Sequence, residues 1–539
     1  MKNAGRTDRF FTLIVIAYCV YAVLFIMKTS FVIGGARYFS LFDDAMISMR
    51  YAKNFAGGHG LVWNPGGERV EGFTNPLWTL YMAALHLIPI ATTKISALVQ
   101  ASAALFLLAN LFAVKKLAGF VSDSSGFVIL TAALLTAFYL PLNNWGMQGM
   151  EVCVLALLIT LAALHAARAV RAGRFSTLPF ILLGLSVFIR TDMAVPFLGM
   201  LLYLAVSVRS HRTRYLIWGI ALLAASVAVQ TGFRIWYYSE ALPNSYYVKL
   251  VGYPMYLRWT RGLYVTFVFL WRSNWALFAL PLAVILITKD RVLGLLGWVL
   301  GVQLLYSVYV GGDAWESWGG ANRYVCIAMP VFFILLAASL ARAGGFMKRA
   351  ALKVSPDIGE RLLNKHGGKV SAIMVLLILL NFNAIYGPSA LTEWLLLKPP
   401  LHVDDNARMV ERAIALRKFT THMASIAVVW DGAIPYFADR YAVSILGKND
   451  HRVGRLPMRR VPGPAGLVAF YPGHLKWDYS YSIGELKPDV IVQVWKQPEE
   501  AEQYMVDYVS VRLYGFLFHL RENSQNIRWD VVRSLAVPG

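Results

Sequence analysis

Charge is scarce in this chain. Only 15% of its 539 residues are Asp, Glu, Lys or Arg, and 58% are hydrophobic, whereas a soluble globular protein carries about a quarter charged residues. With a mean hydropathy of +0.53, the composition excludes an ordinary soluble domain and indicates a polytopic membrane protein. Acids are scarcer than bases, 30 against 51, for a net charge of +21. No aromatic-basic recognition module accompanies that excess, so nucleic acid is excluded as a partner. The positive residues fall instead in short clusters between apolar runs, as in cytoplasmic loops. Cysteine is nearly absent. Cys19, Cys153 and Cys326 all lie inside apolar runs, which excludes a disulfide framework and leaves the compartment unread. The first apolar run lacks a small-residue cleavage site and is too long for a signal peptide. Internal repeats and polar residues concentrated at mid-membrane, both common in transporters, are not evident.

The long apolar runs lie near 10–32, 76–91, 96–114, 126–142, 150–167, 178–208, 215–232, 274–288, 292–310, 325–341 and 370–387. A helix needs about 20 residues to cross the hydrocarbon, and the basic clusters decide which runs do. Arg6 and Arg9, Lys115 and Lys116, Arg168 to Arg174, Arg209 to Arg214, Lys289 and Arg291, and the stretch 342–369 mark successive inside segments. Two crossings fit before Lys115, so 76–91, which opens with Pro76, is expected to lie on or re-enter the surface. The run 178–208 must return to its starting side, as a hairpin turning at Arg190, Thr191 and Asp192. Eleven spans result, with the N-terminus cytoplasmic and the C-terminal part outside. Residues 1–387 are then a membrane domain with a first outer loop at 33–75, and 388–539 an extracytoplasmic domain.

The chemistry-bearing residues gather in the outer loops. Asp43 and Asp44 follow the first span in FSLFDDAMISMRYAKNFAGGHGLVWNPGGERVEGFTNPLW. A helix cap explains one aspartate and leaves the second unexplained. Successive helical residues point about 100° apart, so one carboxylate can face a substrate while its neighbour orients another group, and adjacent like charges raise a pKa toward the range useful for a base. Trp63 and Trp78 read as interfacial belt residues or as a platform for a sugar ring. Glu151 opens an apolar helix, where an acid suits the helix dipole but is costly at the edge of hydrocarbon. Arg190 and Asp192 read as a simple ion pair or as a phosphate site. Asp313, Trp315, Glu316, Trp318 and Arg323 stand in a glycine-rich loop. Arg234, Lys249, Arg258 and Arg261 lie among aromatics, suited to a lipid phosphate leaving group or to headgroups alone.

The acidic pair directly after the first span resembles the GT-C superfamily of membrane glycosyltransferases, which use polyprenyl-phosphate sugars. The fuller string resembles the first outer loop of the terminal β-(1→2)-arabinofuranosyltransferases of mycobacterial cell-wall synthesis and their bacterial relatives. The likeness recurs in GME (149–151), RTD (190–192), LPNSYYVK (242–249), GGDAW (311–315), NRY (322–324), DGAIPYF (431–437), LGKND (446–450) and PGHLKWD (472–478). It implies a bacterial inner-membrane enzyme that moves arabinofuranose from a polyprenyl-phosphate donor to a cell-envelope glycan. Asp43 and Asp44 match the family's acidic pair and are the catalytic candidates. Arg190, Lys249, Arg323 and Arg50 are assigned to the donor phosphate and lipid. His59, Trp63, Glu71, Glu151, Asp192, Tyr247, Asp313, Trp315 and His474 are assigned to substrate. Some GT-C relatives use a divalent metal, for which Asp43, Asp44, Glu151 and Asp313 offer oxygen ligands to Mg²⁺ or Mn²⁺, although no spacing demands one. The family's donor and product share one anomeric configuration, so a single inversion with an aspartate base does not describe its net reaction. An aspartate nucleophile and an aspartate stabilising an oxocarbenium-like state both remain open.

Beyond 388 the apolar runs end. SIAVVW (425–430), YAVSIL (441–446) and KPDVIVQVW (487–495) read as strands and DGAIPYFADR as a turn into a short helix, hence a small α/β domain that caps the outer face. Three other readings are carried forward: a transferase moving another sugar to lipopolysaccharide, lipid or surface protein; a lipid-linked-sugar flippase; and an inactive scaffold.

Overall fold

The computed structural model describes residues 2–535 apart from 317–320, 355, 386–388 and 461–469. Trp318 and the expected domain boundary at 387/388 lie outside the described residues. Seven helices are long and apolar enough to cross a membrane: Gly5–Lys28, Thr92–Val121, Val152–Ala172, Arg209–Tyr238, Arg291–Val310, Met329–Arg349 and Gly367–Ala384. Two bent pairs, Gly126–Ala137 with Leu140–Met147 and Met255–Arg272 with Ala276–Thr288, raise the number to nine. The shorter apolar helices Leu178–Ile189 and Thr191–Ser207 complete the eleven segments expected. These last two form the anticipated hairpin: Phe180 stacks on Phe197 at 5.4 Å, and Phe175 and His211 meet at 6.4 Å beyond the open ends. The run after Pro76 is the 11-residue helix Pro76–His86, about 16 Å long and too short to span.

The basic clusters assemble at one end of the bundle. Asp8 meets Lys115 at 2.8 Å, Asp123 meets Arg171 at 3.2 Å, and Asp290 meets Arg342 at 2.7 Å. The Tyr215 hydroxyl donates to the Arg174 carbonyl and Arg291 to that of Ser207. The acids and cations of the expected outer loops lie at the other end.

One expectation is revised. Arg258 and Arg261, expected in an outer loop, lie on a helix instead, because Met255–Arg272 is helical and bends by 93° into Ala276–Thr288. Its residues sort by helical spacing: Tyr256, Trp259, Leu263, Phe267 and Trp271 are exposed, while Arg258, Arg261 and Gly262 are buried. This is the amphipathic pattern of helices that lie along a membrane surface. The bend falls at Asn274, whose φ of 65° a short polar side chain tolerates.

After the first span a short antiparallel hairpin, β1 (Ser30–Ile33) and β2 (Ala36–Phe39), precedes the helix Asp43–Ala56. The C-terminal part holds a five-stranded sheet in the order β4-β3-β5-β7-β6. Here β3 (Ser425–Val428) runs parallel to β4 (Tyr441–Ser444) and β5 (Val490–Ile491), while β6 (Tyr508–Leu513) and β7 (Phe516–Arg521) form an antiparallel hairpin. The third expected strand is only two residues long, and the β6–β7 hairpin was not anticipated.

The segment that follows the first span, expected to be the first outer loop, is the seam between the two parts. Arg50 donates to the carbonyls of Trp63 (2.6 Å), Arg440 (2.7 Å) and Pro435 and to Asn64 Oδ1 (2.9 Å). The Tyr51 hydroxyl contacts Asn449, and Asn64 pairs with the Ala442 backbone in both directions. Arg50, expected at the donor phosphate, is thus a clamp with its donors already engaged. Arg50→Ala should lower the thermal stability of the detergent-solubilised protein by about 3 kcal/mol, the order found when a buried charge network loses a member. Donor KM in the folded fraction should be unchanged.

Candidate active site

Asp44 stands in the first turn of the helix Asp43–Ala56. Its Oδ2 accepts from Arg323 at 2.9 Å, and its Oδ1 lies 3.3 Å from Lys448 Nζ. Arg323 is shared, holding both oxygens of Asp313 at 2.6 and 2.8 Å. Burial would raise the Asp44 carboxyl, but Lys448, Arg323 and Lys249 overcome it and hold the group far below the usual carboxylate range. Asp44 is therefore a fixed anion, well suited to stabilising positive charge and poorly suited to taking a proton.

Two connected spaces open on this network. A narrow cleft of about 50 Å³ is lined by Asp44, Ser48, Asp313, Trp315, Lys448 and His474. A cavity of about 330 Å³ is lined by Arg190, Asp192 and four tyrosines, Tyr246, Tyr306, Tyr309 and Tyr324. Lys249 and Arg323 line both. Three of the four cations assigned to the donor phosphate thus share one cavity. Arg190 is positioned by Glu151 (2.9 Å) and by Asp192, whose other contact is the Tyr306 hydroxyl at 3.0 Å. Glu151 is itself held by Asn75 at 2.7 Å. Lys249 joins no ion pair among the described residues. Burial, then the neighbouring Arg323, lowers its pKa to about 8.

Asp43 points elsewhere. Its Oδ1 accepts from the Ala433 amide at 2.8 Å, and its Oδ2 is buried without a hydrogen-bond partner. The contact is close enough that a side chain at Gly432 would collide with the Asp43 carbonyl, so only glycine fits there. Nearby Asp431 accepts from Ser444 and from Asn449 at 2.8 Å. Burial, opposed by Lys448, pushes Asp43 up to about 6 and Asp431 to about 7 from an ordinary 3.8. The folded chain thus keeps protons that the unfolded chain releases. This stabilisation is full below about pH 4 and is lost as pH rises through 6 and 7. Thermal stability should fall between about pH 4 and pH 7, and Asp431→Asn should flatten that part of a thermal-shift profile.

His474 lines the cleft with its ring 4.4 Å from that of Tyr471 and 5.8 Å from that of Trp315. Its Nδ1 lies 2.8 Å from the Pro472 carbonyl. A carbonyl only accepts, so Nδ1 carries the proton and Nε2, buried without a hydrogen-bond partner, is an open acceptor. Burial, then Lys448, lowers its pKa to about 3, so the ring stays neutral.

The other assigned residues lie outside both spaces. Glu71 forms a buried ion pair with Arg234 at 2.6 Å. The Tyr247 hydroxyl contacts Glu240. Trp63 is buried, with its indole N–H on the Asp431 carbonyl, and Trp78 is buried against the Gly149 carbonyl; neither is a belt residue or a sugar platform. His59 lines a separate groove with Lys53 and Arg440. The four candidate metal ligands do not converge: Asp44 and Asp313 share Arg323, Glu151 holds Arg190, and Asp43 takes a backbone amide. No group of three or more His, Cys, Asp or Glu suited to a metal occurs among the described residues.

Lys448 and Asp431 escaped the sequence reading as site residues. They follow β4 and β3, at the carboxyl ends of parallel strands, where α/β sheets place their binding crevices. That rule was the available signal.

The sequence matches no protein-family model and no curated protein. Solved structures are similar to it in shape. ArnT from Cupriavidus metallidurans bound to undecaprenyl phosphate superposes with a TM-score of 0.54 and 13% identity, over 97% of this chain and 99% of that one. Its apo form gives 0.52 at the same identity and coverage. The Archaeoglobus fulgidus oligosaccharyltransferase tethered with an acceptor peptide gives 0.50 and 13% identity, over 98% of this chain and 76% of that one. This is the GT-C fold. At such identities the likeness establishes architecture and leaves the chemistry to the residues.

Proposed function

We propose that the protein is a membrane glycosyltransferase that takes a sugar, arabinofuranose by the sequence resemblance, from a polyprenyl-phosphate donor and passes it to a hydroxyl of a cell-envelope glycan. The observation that carries this reading is the meeting of Arg190, Lys249 and Arg323 in one tyrosine-walled cavity beside an ionised Asp44. The similar ArnT binds undecaprenyl phosphate, in keeping with a lipid-borne phosphate here. The positive-inside rule supports a cytoplasmic basic end, and in this reading the site and the C-terminal domain face outward from the bacterial inner membrane.

In this reaction the bond between the anomeric carbon and the phosphate oxygen breaks, and its electron pair goes to the phosphate. Lys249 and Arg323, with Arg190 behind them, stabilise that charge where it develops. Asp44 faces the anomeric carbon as a carboxylate and stabilises its positive character. The acceptor oxygen forms the new bond, and its proton passes to the departing phosphate, whose second pKa is about 6. His474 Nε2 accepts a hydrogen bond from a sugar hydroxyl. In this reading Lys448 and His474 bring the C-terminal domain into the reaction centre, with Gly432 at the seam.

Membranes containing the protein should transfer radiolabelled sugar from a polyprenyl-phosphate-arabinofuranose and not from hexose donors. Transfer from a hexose donor would keep the mechanism and discard the arabinose. Labelled lipid crossing the bilayer with no transfer would favour the flippase.

A further inference from the structure

The amphipathic helix Met255–Arg272 carries two buried arginines one turn apart, and they differ. Arg261 is satisfied: it donates to the carbonyls of Gly311 and Asp313 and lies 3.9 Å from Glu316. Arg258 is not. It is 6% exposed, and its Nε and Nη1 are buried with no hydrogen-bond partner. Among the described residues it joins no ion pair, and its one close polar-type contact is the face of Tyr309, 5.4 Å from the ring centroid. Burying a guanidinium without an anion is costly, and such groups are normally paired. Nothing in the transfer reaction requires Arg258, which does not line either space at the reaction centre.

Its position indicates what would pair with it. The opposite face of the helix exposes Tyr256, Trp259, Phe267 and Trp271, and the helix lies at 93° to the apolar helix that follows. Aromatics on a helix lying in the membrane plane settle at headgroup depth, the level at which a lipid carries its phosphate. A guanidinium fork matches phosphate oxygens bidentately. Tyr309, against which Arg258 stacks, also lines the 330 Å³ cavity. We infer that Arg258 is a second binding site for a lipid-borne phosphate, set at the membrane interface next to the cavity and separate from the Arg190–Lys249–Arg323 group. A polyprenyl phosphate arriving at or leaving the cavity and an anionic phospholipid headgroup present the same chemistry. The site itself does not depend on the proposed reaction; only the first of these two identities does.

The test uses the full chain in phosphatidylcholine nanodiscs, titrated separately with undecaprenyl phosphate and with phosphatidylglycerol, counting bound lipid by native mass spectrometry. Wild type should hold two undecaprenyl phosphates. Arg258→Gln should lose one, with affinity there falling on the order of 30-fold; Arg258→Lys should retain it more weakly, and Lys249→Ala should lose the other. If phosphatidylglycerol occupies the Arg258 site and undecaprenyl phosphate does not, the site stands with a phospholipid as its ligand. If Lys249→Ala changes nothing while Arg258→Gln loses a lipid, the proposed reaction fails and the site survives. Thermal stability gives a second readout. In lipid-free detergent Arg258→Gln should be at least as stable as wild type, and added lipid phosphate should raise the Tm of wild type alone. Equal binding of both lipids by wild type and Arg258→Gln would overturn the inference, as would a destabilised variant together with a wild-type Tm that neither lipid moves.

Discussion

Asp44→Asn is expected to reduce sugar transfer on the order of a thousandfold while leaving the protein folded, as judged by transfer rates and thermal unfolding of the purified variant. The substitution keeps the shape of the side chain and one oxygen for Arg323, but removes the one negative charge that, among the described residues, both Arg323 and Lys448 contact. A positive anomeric centre would then meet a neutral amide flanked by two cations. Asp43→Asn should be much milder. Asp43 is held by the Ala433 amide and lines neither space, and with its pKa raised to about 6 the neutral amide resembles a protonated form that this site favours more than an ordinary carboxylate site does. A large difference between two adjacent, chemically identical residues is a result that a helix-capping role would not produce.

The second large effect is on stability. Arg323→Ala should destabilise the protein by about 3–5 kcal/mol, because it leaves Asp313 and Asp44 buried without their shared counter-charge. Arg323→Lys should recover only part of this, since a single ammonium cannot reproduce a fork that grips Asp313 through two nitrogens and Asp44 through a third. Thermal unfolding in detergent measures both. Transfer should be lost in each, since the same guanidinium lines the cavity.

What could be read in advance, and what could not, follows from helical geometry. The sequence places Asp43 and Asp44 in a loop of acids and cations, and Asp313 and Arg323 at the same end of the bundle. Basic clusters anchor the spans well enough to yield the eleven apolar segments and the hairpin that presents Arg190 and Asp192. What a loop assignment does not supply is the side of a helix. Asp43 and Arg50 are seven residues apart, two turns, and so share a face, which meets Ala433 and Pro435 of the C-terminal part. Asp44, Ile47 and Ser48 share the other face and line the cleft. Applying that periodicity to the helix Asp43–Ala56 would have removed Arg50 from the donor contacts.

Other residues were illegible for a different reason. Glu71 finds Arg234, and Trp63 finds Asp431, only through contacts between segments far apart in sequence. Lys448 reaches Asp44 across 404 residues. Local pattern carries no information about such pairs. The β6–β7 hairpin was missed because its two-residue turn is Tyr514–Gly515, with φ of 51° and 82°. Both residues take the left-handed region, as such a turn requires, but tyrosine does not announce it as asparagine would. The helix Met255–Arg272 was missed because its arginines were read as loop cations, although their spacing against Trp259, Leu263 and Phe267 is helical.

The most direct test is a cryo-electron microscopy structure of the protein with a non-transferable phosphonate analogue of the polyprenyl-phosphate-sugar donor. The phosphonate is expected in the cavity within hydrogen-bonding distance of Lys249 and Arg323, with the sugar's anomeric carbon nearer to Asp44 than to any other carboxylate. A phosphonate bound away from Lys249, for example in the groove beside Lys53, His59 and Arg440, or an anomeric carbon facing Asp43, would contradict the assignment of the reaction centre.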